Sequence, residues 1–356
     1  MIVLIAIMLV FVNLIGYMLV LLAPKDNLLK IPESWPYVSI LIAVRNEESR
    51  IDELLASLQD LDYPEDKIEI LVGDDHSQDN TWQKLQTHSF DRVRTIQAQA
   101  KHTGKARMLH ELARLARGEF ILMIDADIRP PKVWVKALVM NMQSYDFGVA
   151  MTSVKGTNLL CRLQSVDWLS HQSLIGWFTR YFEPMTAWGN NMIVRKNTFD
   201  SVDGYEDILD SIVEDVALLK KVTKIGRVKV ITHADGCVET IGERSLQDVI
   251  AQRLRWIRGF DLMPVYVKQM ALIKYLFLPS VIFLSVSDSP FWMFFILLKA
   301  LMIFLLIRPY TVSKKRSDIK WWDYICFEGY EFIVYYLSFV RSIFKKTIIW
   351  KGRSYD

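Results

Sequence analysis

Two carboxylates separated by one residue, Asp125 and Asp127, follow the apolar run Phe120–Ile124. In an extended segment, residues two apart point to the same side, so both carboxylates lie close together. Two like charges held together are costly unless a cation lies between them. Oxygen ligands suit Mg²⁺ or Mn²⁺, ions that are usually coordinated by substrate phosphates as well. An isolated pair of this kind is more often a solvated acidic turn. Its place after an apolar run favours a metal site.

A second acidic pair, Asp74 and Asp75, ends another apolar run, where a carboxylate can accept from a base N–H or a ribose hydroxyl. The alternative is local, because Ser77 or Asp79 can cap the next helix. Lys105 opens a predicted helix, where it can meet a phosphate. It is not a Walker A lysine, because no Ser or Thr follows it, and this counts against an ATPase.

The segment Gly204–Val216 is acidic, and most of its carboxylates are expected to be surface charges. Glu214 and Asp215 differ from the rest because they lie just before an apolar helix, where one of them can serve as a base. Four of the six histidines show no ligand spacing and are expected to be structural or surface residues: His76, His102, His171 and His233.

Gln252, Arg255 and Trp256 fall at i, i+3 and i+4 of a helix predicted to begin near Ser245, so they share one face. An amide, a permanent cation and a broad aromatic plane suit a diphosphate and a sugar. The alternative is an interfacial helix whose arginines extend to a membrane surface.

Strand and helix patterns alternate between Tyr37 and Ile124. The predicted strands are Tyr37–Val44, Ile68–Val72, Val93–Ile96 and Phe120–Ile124, and the predicted helices begin at Ser49 and Thr81 and cover Thr103–Arg117, which Gly118 ends. This alternation predicts an α/β fold with a mostly parallel sheet and helices on both faces. Ligands bind such sheets beyond the carboxyl ends of the strands, where the acidic pairs lie.

The chain has 356 residues and a net charge of +3, which is too balanced to indicate a nucleic-acid partner. Hydrophobic residues make up 51% of the chain, and their excess lies at its two ends. Cys161, Cys237 and Cys326 lie far apart, which argues against a zinc site or a disulfide framework and fits a reducing compartment.

Met1–Leu22 is an uncharged apolar run long enough to span a bilayer. A cleaved signal peptide is the alternative, but no basic region precedes the run and no A-x-A site follows it. Two later runs, Ala271–Val286 and Phe291–Ile307, predict a hairpin broken at Asp288 and Pro290. Phe332–Phe344 is short and aromatic, which is typical of an interfacial helix.

The positive-inside rule predicts that the middle of the chain is cytoplasmic, because basic residues flank the apolar runs at Lys25, Lys30 and Lys314–Arg316. The predicted location of the protein is the inner membrane of the cell. The predicted organisation is a transmembrane anchor (1–23), an α/β domain (31–268), a transmembrane hairpin (271–308) and a cytoplasmic or interfacial segment (309–356).

Six strings in this order resemble glycosyltransferase family 2, in particular its membrane-bound branch with cellulose, chitin and hyaluronan synthases and ceramide glucosyltransferase. They are VSILIAVRNEE (38–48), VGDDHSQD (72–79), HTGKARMLHELARLARGEFILMIDAD (102–127), WGNNMIVRKNTFDSVDGYED (188–207), VED (213–215) and QRLRW (252–256). The resemblance covers nearly the whole middle domain. It implies a GT-A fold, a nucleotide-sugar donor such as a UDP-sugar, a divalent metal and inversion at the anomeric carbon.

The resemblance also implies roles by position. Donor contacts are expected at Ala43, Arg45, Glu47, Asp74, Lys105 and Asp125, with Asp74 on the uracil. Metal ligands are expected at Asp127 and Asp125, acceptor contacts at Gly189, Asn190, Gln252 and Trp256, and catalysis by Asp215 as the base with Glu214 and Arg255. Val213 replaces the threonine of the family's TED motif. Trp350–Arg353 (WKGR) resembles the WGTR element of hyaluronan synthases, or else forms an aromatic-basic membrane anchor.

The expected reaction is direct transfer of a sugar to a membrane-associated acceptor, a lipid or a lipid-linked glycan. A processive polysaccharide synthase is the alternative, but about three predicted spans are few for an export channel. A non-catalytic scaffold with a degenerate nucleotide-sugar fold is a third possibility, and intact Asp127, Asp215 and QRLRW speak against it. A nucleotidyltransferase would not explain QRLRW.

Overall fold

The computed structural model of the protein describes residues 1–24, 31–88, 90–98, 104–209, 211, 213–259, 263, 265–344, 348–350 and 353–355. Lys25, Lys30, His102 and Asp210 lie outside this described part. The chain divides into two compact units. The sheet unit comprises residues 26–153 and 179–241, and the helical unit comprises residues 1–25, 154–178 and 242–356.

Helices and strands alternate along most of the chain. The helices are α1 (Ile2–Leu22), α2 (Ile51–Gln59), α3 (Thr81–Thr87), α4 (Lys105–Leu115), α5 (Trp134–Asn141), α6 (Leu159–Tyr181), α7 (Lys196–Ser201), α8 (Glu214–Val222), α9 (Leu246–Gly259), α10 (Val265–Tyr275), α11 (Phe277–Ser287), α12 (Phe294–Ser313) and α13 (Trp321–Phe344). The strands are β1 (Val38–Val44), β2 (Ile68–Asp74), β3 (Val93–Gln97), β4 (Phe120–Ile124), β5 (Phe147–Ala150), β6 (Thr152–Lys155), β7 (Asn191–Arg195), β8 (Val228–Ile231), β9 (Val238–Ile241), β10 (Ile348–Trp350) and β11 (Arg353–Tyr355).

Seven strands form one sheet in the order β3-β2-β1-β4-β7-β5-β8. β1 lies parallel to both β2 and β4, with Ile40 opposite Ile70 and Leu122. The strand β7 is antiparallel to its neighbours β4 and β5. The predicted mostly parallel sheet is therefore confirmed, and its core is built from the continuous apolar runs of β1, β2 and β4.

The strands and helices predicted between Tyr37 and Ile124 agree with the observed ones to within about two residues. The helix predicted to end at Gly118 ends at Leu115 instead. Gly118 instead allows a close approach of backbone segments, because a Cβ there would lie 2.5 Å from the backbone nitrogen of Ser39 and 2.7 Å from the carbonyl oxygen of Phe120. Asp79 does bond the first turn of α3, accepting from the N–H of Thr81 at 3.0 Å, although the cap position itself is Asn80.

Gly118→Ala is expected to lower the free energy of unfolding by about 1–3 kcal/mol, because backbone rather than a flexible side chain must move. Gly329→Ala is the matched control, since a methyl group added there would meet no described atom within 4 Å and alanine favours a helix. Chemical or thermal unfolding of both variants measures the difference. If Gly118→Ala were as stable as the natural protein, this would contradict a close approach of Gly118 to the backbone of Ser39 and Phe120.

The helical unit has its own apolar cluster, in which α1 packs against α11 and α12. Val10 and Leu14 of α1 are buried beside Val281 of α11. Two helical segments of the described chain, Ile2–Leu22 and Pro290–Ser313, are long and apolar enough to cross a membrane. The pair α10 and α11, bent by 41°, makes a third candidate if it is one broken span. The three apolar runs of the sequence lie within these helices.

The helix predicted as Phe332–Phe344 begins eleven residues earlier, as part of the 24-residue α13. Its first half was hidden because it carries three carboxylates, which made that stretch look polar. All three are buried and each meets a cation: Asp323 with Arg162 at 2.7 Å, Glu328 with Lys299 at 2.8 Å, and Glu331 with Lys274. Buried charges of this kind are tolerated only when paired.

Near the C-terminus, β10 and β11 pair antiparallel with Trp350 opposite Arg353. Of the WKGR string, Trp350 and Arg353 lie in these strands, and Lys351 and Gly352 fall outside the described part of the chain.

Candidate active site

The two carboxylates of the DxD string stand where β4 ends, as the sequence predicts. Asp127 Oδ2 accepts a hydrogen bond from Thr240 Oγ1 at 2.7 Å, and Asp125 Oδ1 lies 2.7 Å from Lys105 Nζ. Burial and the nearby charge of Asp125 raise the pKa of Asp127. The two carboxylates therefore repel each other, and a divalent cation would relieve that repulsion. Thr240, which comes from β9, carries no recognisable signal in the sequence.

Lys105 joins two carboxylates that the sequence had placed in different roles. Its Nζ lies 2.7 Å from Asp125 Oδ1 and 3.0 Å from Glu214 Oε1. Burial alone would lower the pKa of Lys105, but Asp125 and Glu214 hold it well above its usual value, so the ammonium stays charged. Gly104, which directly precedes this helix, donates its N–H to the Asp75 carboxylate at 3.1 Å.

Asp215, at the start of α8, accepts hydrogen bonds from two backbone N–H groups. Gly189 N–H donates to Asp215 Oδ2 at 2.7 Å, and Val216 N–H donates to Asp215 Oδ1 at 2.8 Å. Burial and then the neighbouring Glu214 raise the pKa of Asp215 to about 7, although Lys105 and both N–H groups act in the opposite direction. A carboxyl group with such a pKa can exchange a proton near neutral pH.

Gly189 lies close to the side chains of this cluster. A Cβ at this position would lie 3.2 Å from Lys105 Nζ and 3.4 Å from Asp215 Oδ2. The structure thus brings together Lys105, Asp125, Gly189, Glu214 and Asp215, which the sequence predicted from separate strings. Asn190 follows directly, and its Oδ1 accepts from Thr152 Oγ1 at 3.0 Å.

Four of the predicted donor residues lie at the carboxyl ends of β1 and β2: Ala43, Arg45, Glu47 and Asp74. Asp74 is fully buried; its Oδ2 accepts from the N–H of Ser77 at 3.2 Å, while its Oδ1 has no hydrogen-bond partner within the described part of the protein. A buried carboxylate oxygen without a partner is costly, and a base N–H would satisfy it. Arg45 donates to the carbonyl of Asp75 at 3.3 Å, and Ala43 lies opposite Gly73 in the register.

Glu47 is buried and close to Arg50, whose NH1 lies 3.2 Å from Glu47 Oε2. Its own N–H donates to Thr81 Oγ1 at 2.8 Å. These contacts anchor the segment after β1 to the start of α3, so Glu47 has a structural role besides the predicted contact with the donor.

The QRLRW string lies on a helix, as predicted, and this helix, α9, belongs to the helical unit. Trp256 is 39% exposed, and its ring centroid lies 3.9 Å from the Cζ of Arg253. Gln252 Oε1 accepts from Arg253 NH1 at 2.7 Å. Arg253 itself is fully buried and pairs with Asp167 of α6. Arg253 was not predicted, because the spacing of the string placed it on another face than Gln252, Arg255 and Trp256.

Three possible metal ligands of the helical unit, Asp167, His171 and Glu331, have ligand atoms within 4.8 Å of one another. The ammonium of Lys274 already occupies this cluster, 2.9 Å from His171 Nε2 and paired with Glu331. His171 Nδ1 lies 2.7 Å from Asp167 Oδ1. The cluster is therefore a network of compensated charges, and His171 is a member of it rather than an isolated structural residue.

The family model described as glycosyl transferase family 21 matches residues 1–356. The chain belongs to this family. The broad prediction of a glycosyltransferase is thus confirmed, whereas the assignment to family 2 is not, because the matching family is a different one.

Curated relatives of this family 21 chain match a little over half of it. A β-monoglucosyldiacylglycerol synthase of Nostoc sp. is 28% identical over 202 residues, which cover 55% of this chain and 43% of the relative. The probable glycosyltransferase YdaM of Bacillus subtilis is 26% identical over 212 residues, covering 57% and 49%. The chain therefore spans about half the length of the curated relatives it matches.

A solved structure shares the fold over nearly the whole chain. The mannosyltransferase PcManGT from Pyrobaculum calidifontis, in complex with GDP-Man and Mn²⁺, superposes with a TM-score of 0.57 at 17% identity. The match covers 94% of this chain and 99% of PcManGT. The predicted GT-A-type α/β fold is confirmed by this likeness.

Proposed function

We propose that this protein transfers a sugar from a nucleotide-sugar donor to a lipid or lipid-linked acceptor at a membrane, with inversion at the anomeric carbon. The observation that carries the proposal is the convergence of Asp215, Lys105 and Asp125 at the ends of strands and helices of one unit. A base, a cation and a metal-binding carboxylate are the groups that a displacement at an anomeric carbon requires.

Asp215 is the proposed base. It removes the proton from an acceptor hydroxyl while the oxygen attacks the anomeric carbon, and the bond from that carbon to the nucleotide diphosphate breaks. A pKa of about 7 suits this role, because such a carboxyl group is deprotonated in half of the molecules at neutral pH and still basic. The N–H groups of Gly189 and Val216 fix the orientation of its oxygens.

Asp127 and Asp125 are the proposed ligands of Mg²⁺ or Mn²⁺. Their mutual repulsion and the Thr240 hydroxyl that orients Asp127 fit this assignment. When bound, such an ion neutralises the charge that develops on the departing diphosphate. Lys105 lies beside Asp125 and adds a second positive charge on the donor side, and the resemblance assigns Arg255 the same task.

The proposed donor is a UDP-sugar. Asp74 supports a nucleotide with a base N–H to donate, since its buried Oδ1 lacks a protein partner in the described residues. Uracil and guanine both offer such a group, and PcManGT binds GDP-Man. Competition of UDP and GDP against a labelled donor separates the two.

The proposed acceptor is a lipid. The candidate membrane helices support it, and so do the names of the cyanobacterial relatives, which are synthases of a glucosylated diacylglycerol. Gln252 and Trp256 are the proposed acceptor contacts, together with Gly189 and Asn190. The processive alternative would require product to leave through more helices than this chain offers among its described residues.

The proposal is tested by incubating membranes that contain the protein with a panel of labelled nucleotide sugars. Label should enter an organic-solvent extract with one donor, and membranes with Asp215→Asn should not incorporate it. Label in an insoluble polymer would favour a processive synthase. The absence of transfer from every donor would point to a scaffold.

The orientation gives a separate expected result. We propose that α1 and α12 span the inner membrane, that residues 31–268 form the catalytic domain on the cytoplasmic side, and that 271–308 form a transmembrane hairpin. Protease added to intact spheroplasts should leave this domain whole, and detergent should expose it to cleavage. A cytoplasmic protein and a periplasmic protein serve as controls. Digestion before lysis would reverse the orientation.

A further inference from the structure

The second residue of the QRLRW string is buried at the centre of the helical unit. Arg253 is 0% exposed, and its guanidinium pairs with the Asp167 carboxylate, which is 1% exposed. The alternative prediction for this helix is that its arginines are exposed and extend to a membrane surface. Arg253 is buried instead. A buried ion pair contributes little net stability compared with apolar side chains, so its presence calls for another role.

Arg253 contacts the two neighbours that are proposed to bind the acceptor. Its NH1 donates to Gln252 Oε1 at 2.7 Å. This bond fixes the amide so that its NH₂ group, the donor end, points away from the guanidinium. Its Cζ lies 3.9 Å from the ring centroid of Trp256, within the range of a cation–π contact.

Trp256 is held from a second side. The ring of Trp168 on α6 meets it edge-on, with centroids 5.2 Å apart and an interplanar angle of 61°. The indole thus rests on two buried groups, Arg253 and Trp168, and keeps an exposed part of 39%. An aromatic plane oriented in this way loses little freedom when it binds a ring or a sugar face.

The position of Asp167 is set in turn by α6. His171, one turn later on this helix, has its Nδ1 2.7 Å from Asp167 Oδ1. Lys274 Nζ lies 2.9 Å from the other ring nitrogen of His171, so Nε2 accepts from the ammonium and Nδ1 donates to the backbone carbonyl of Asp167 at 2.9 Å. The Asp167 carboxylate pairs with Arg253 through Oδ2; burial alone would raise the pKa of Asp167, but the Arg253 charge holds it below its usual value.

We propose that Arg253, held by Asp167, is a positioning residue that orients Gln252 and Trp256 for the acceptor. The inference rests on the proposed function, since it assigns these two side chains to acceptor binding. The proposal also narrows the chemical class of the acceptor. A cation already stacked on the indole disfavours a second one, so the surface suits an uncharged hydroxyl-bearing group rather than a cationic head group.

The first test compares kinetic constants of Arg253→Lys and the natural protein, with diacylglycerol dispersed in detergent as the acceptor. Lysine keeps the charge but loses the planar fork and the stacking surface. The KM for the acceptor should rise about tenfold or more, as expected for a misplaced contact, while nucleotide diphosphate affinity stays unchanged. The same change introduced into Trp256→Leu should have a much smaller effect, because the ring that Arg253 orients is gone.

The double variant Asp167→Leu with Arg253→Met separates positioning from stability. Apolar side chains in place of a buried ion pair are often neutral or stabilising, whereas Asp167→Leu alone leaves an unpaired buried charge. The proposal expects the double variant to unfold at the temperature of the natural protein and still to show the raised acceptor KM. A natural acceptor KM in that variant, or equal effects of Arg253→Lys with and without Trp256, would overturn it.

A third measurement does not depend on the acceptor. The fluorescence of Trp256 is obtained by subtracting the spectrum of the matching Trp256→Leu protein. In Arg253→Lys this component should be quenched more strongly by acrylamide, because the ring has lost its stack. Unchanged quenching would also overturn the proposal. Failure of the proposed function is distinguishable, since the natural protein would then transfer no sugar while the quenching difference persists.

Discussion

Asp215→Asn is expected to lower the rate of sugar transfer by about 10²- to 10⁴-fold, the contribution typical of a general base. The amide keeps the size of the side chain and can still accept hydrogen bonds from Gly189 and Val216. It cannot accept the proton of the acceptor hydroxyl. Nucleotide diphosphate affinity should therefore change little. Transfer rate and equilibrium binding of the nucleotide diphosphate, measured on the same preparations, check both halves of this expectation.

The matched control for this variant is Glu214→Gln. Glu214 pairs with Lys105 at 3.0 Å, whereas the N–H groups of Gly189 and Val216 donate to Asp215, so loss of the Glu214 charge should reduce transfer by less. A larger loss in Glu214→Gln than in Asp215→Asn would move the base to Glu214.

The pH profile tests the same assignment. The base must be deprotonated, and the pKa of Asp215 lies at about 7. The ratio kcat/KM should therefore increase with pH below about 7, tenfold per pH unit, and level off above it. Because Glu214 contributes to that raised pKa, Glu214→Gln should shift the inflection to lower pH. A profile that is flat from pH 5 to pH 8 would exclude Asp215 as the group that titrates.

Asp127→Asn is expected to abolish transfer and also to weaken binding of the nucleotide diphosphate, which would distinguish it from Asp215→Asn. The reason is the loss of a charged oxygen ligand for Mg²⁺ or Mn²⁺, through which the diphosphate is held. Excess chelator should have the same effect on the natural protein, and added Mn²⁺ or Mg²⁺ should reverse it. Full activity in the presence of chelator would exclude a metal.

Thr240→Val provides a graded companion to Asp127→Asn. Valine has the shape of threonine but cannot donate to Asp127 Oδ2, a bond of 2.7 Å in the structure. Loss of such a supporting contact typically costs about 10- to 100-fold in metal affinity. The metal concentration needed for half-maximal transfer should rise accordingly, and the rate at saturating metal should recover. An unchanged metal requirement would mean that Thr240 does not orient Asp127.

The half of the sheet built from β1, β2 and β4 follows from the sequence, because each of these strands is a continuous apolar run and a buried parallel strand needs that pattern. The direction of β7 does not. The apolar residues of β7 would suit a parallel or an antiparallel strand equally, and β7 is antiparallel to β4 and β5.

The site was predictable where chemistry and position coincide. A titratable group next to a strand end or a helix start can be recognised from the sequence alone, as for Asp125, Asp127 and Asp215. Thr240 and Arg253 act only through the residues they touch, which no local pattern reveals. The first half of α13 was missed for a related reason, since a polarity count treats Glu328 as a charge whether or not Lys299 neutralises it.

The pairing of Lys299 with Glu328 has a consequence for how the protein is made. Ribosomes add residues from the N-terminus, so Lys299 is synthesised 29 residues before the carboxylate that neutralises it. A lone charge near the centre of a membrane helix costs about 2.5–3.5 kcal/mol on the insertion scale. As a proposed span, α12 therefore crosses the bilayer with an uncompensated charge until α13 arrives, and a nascent chain that ends before Glu328 would remain partly uninserted.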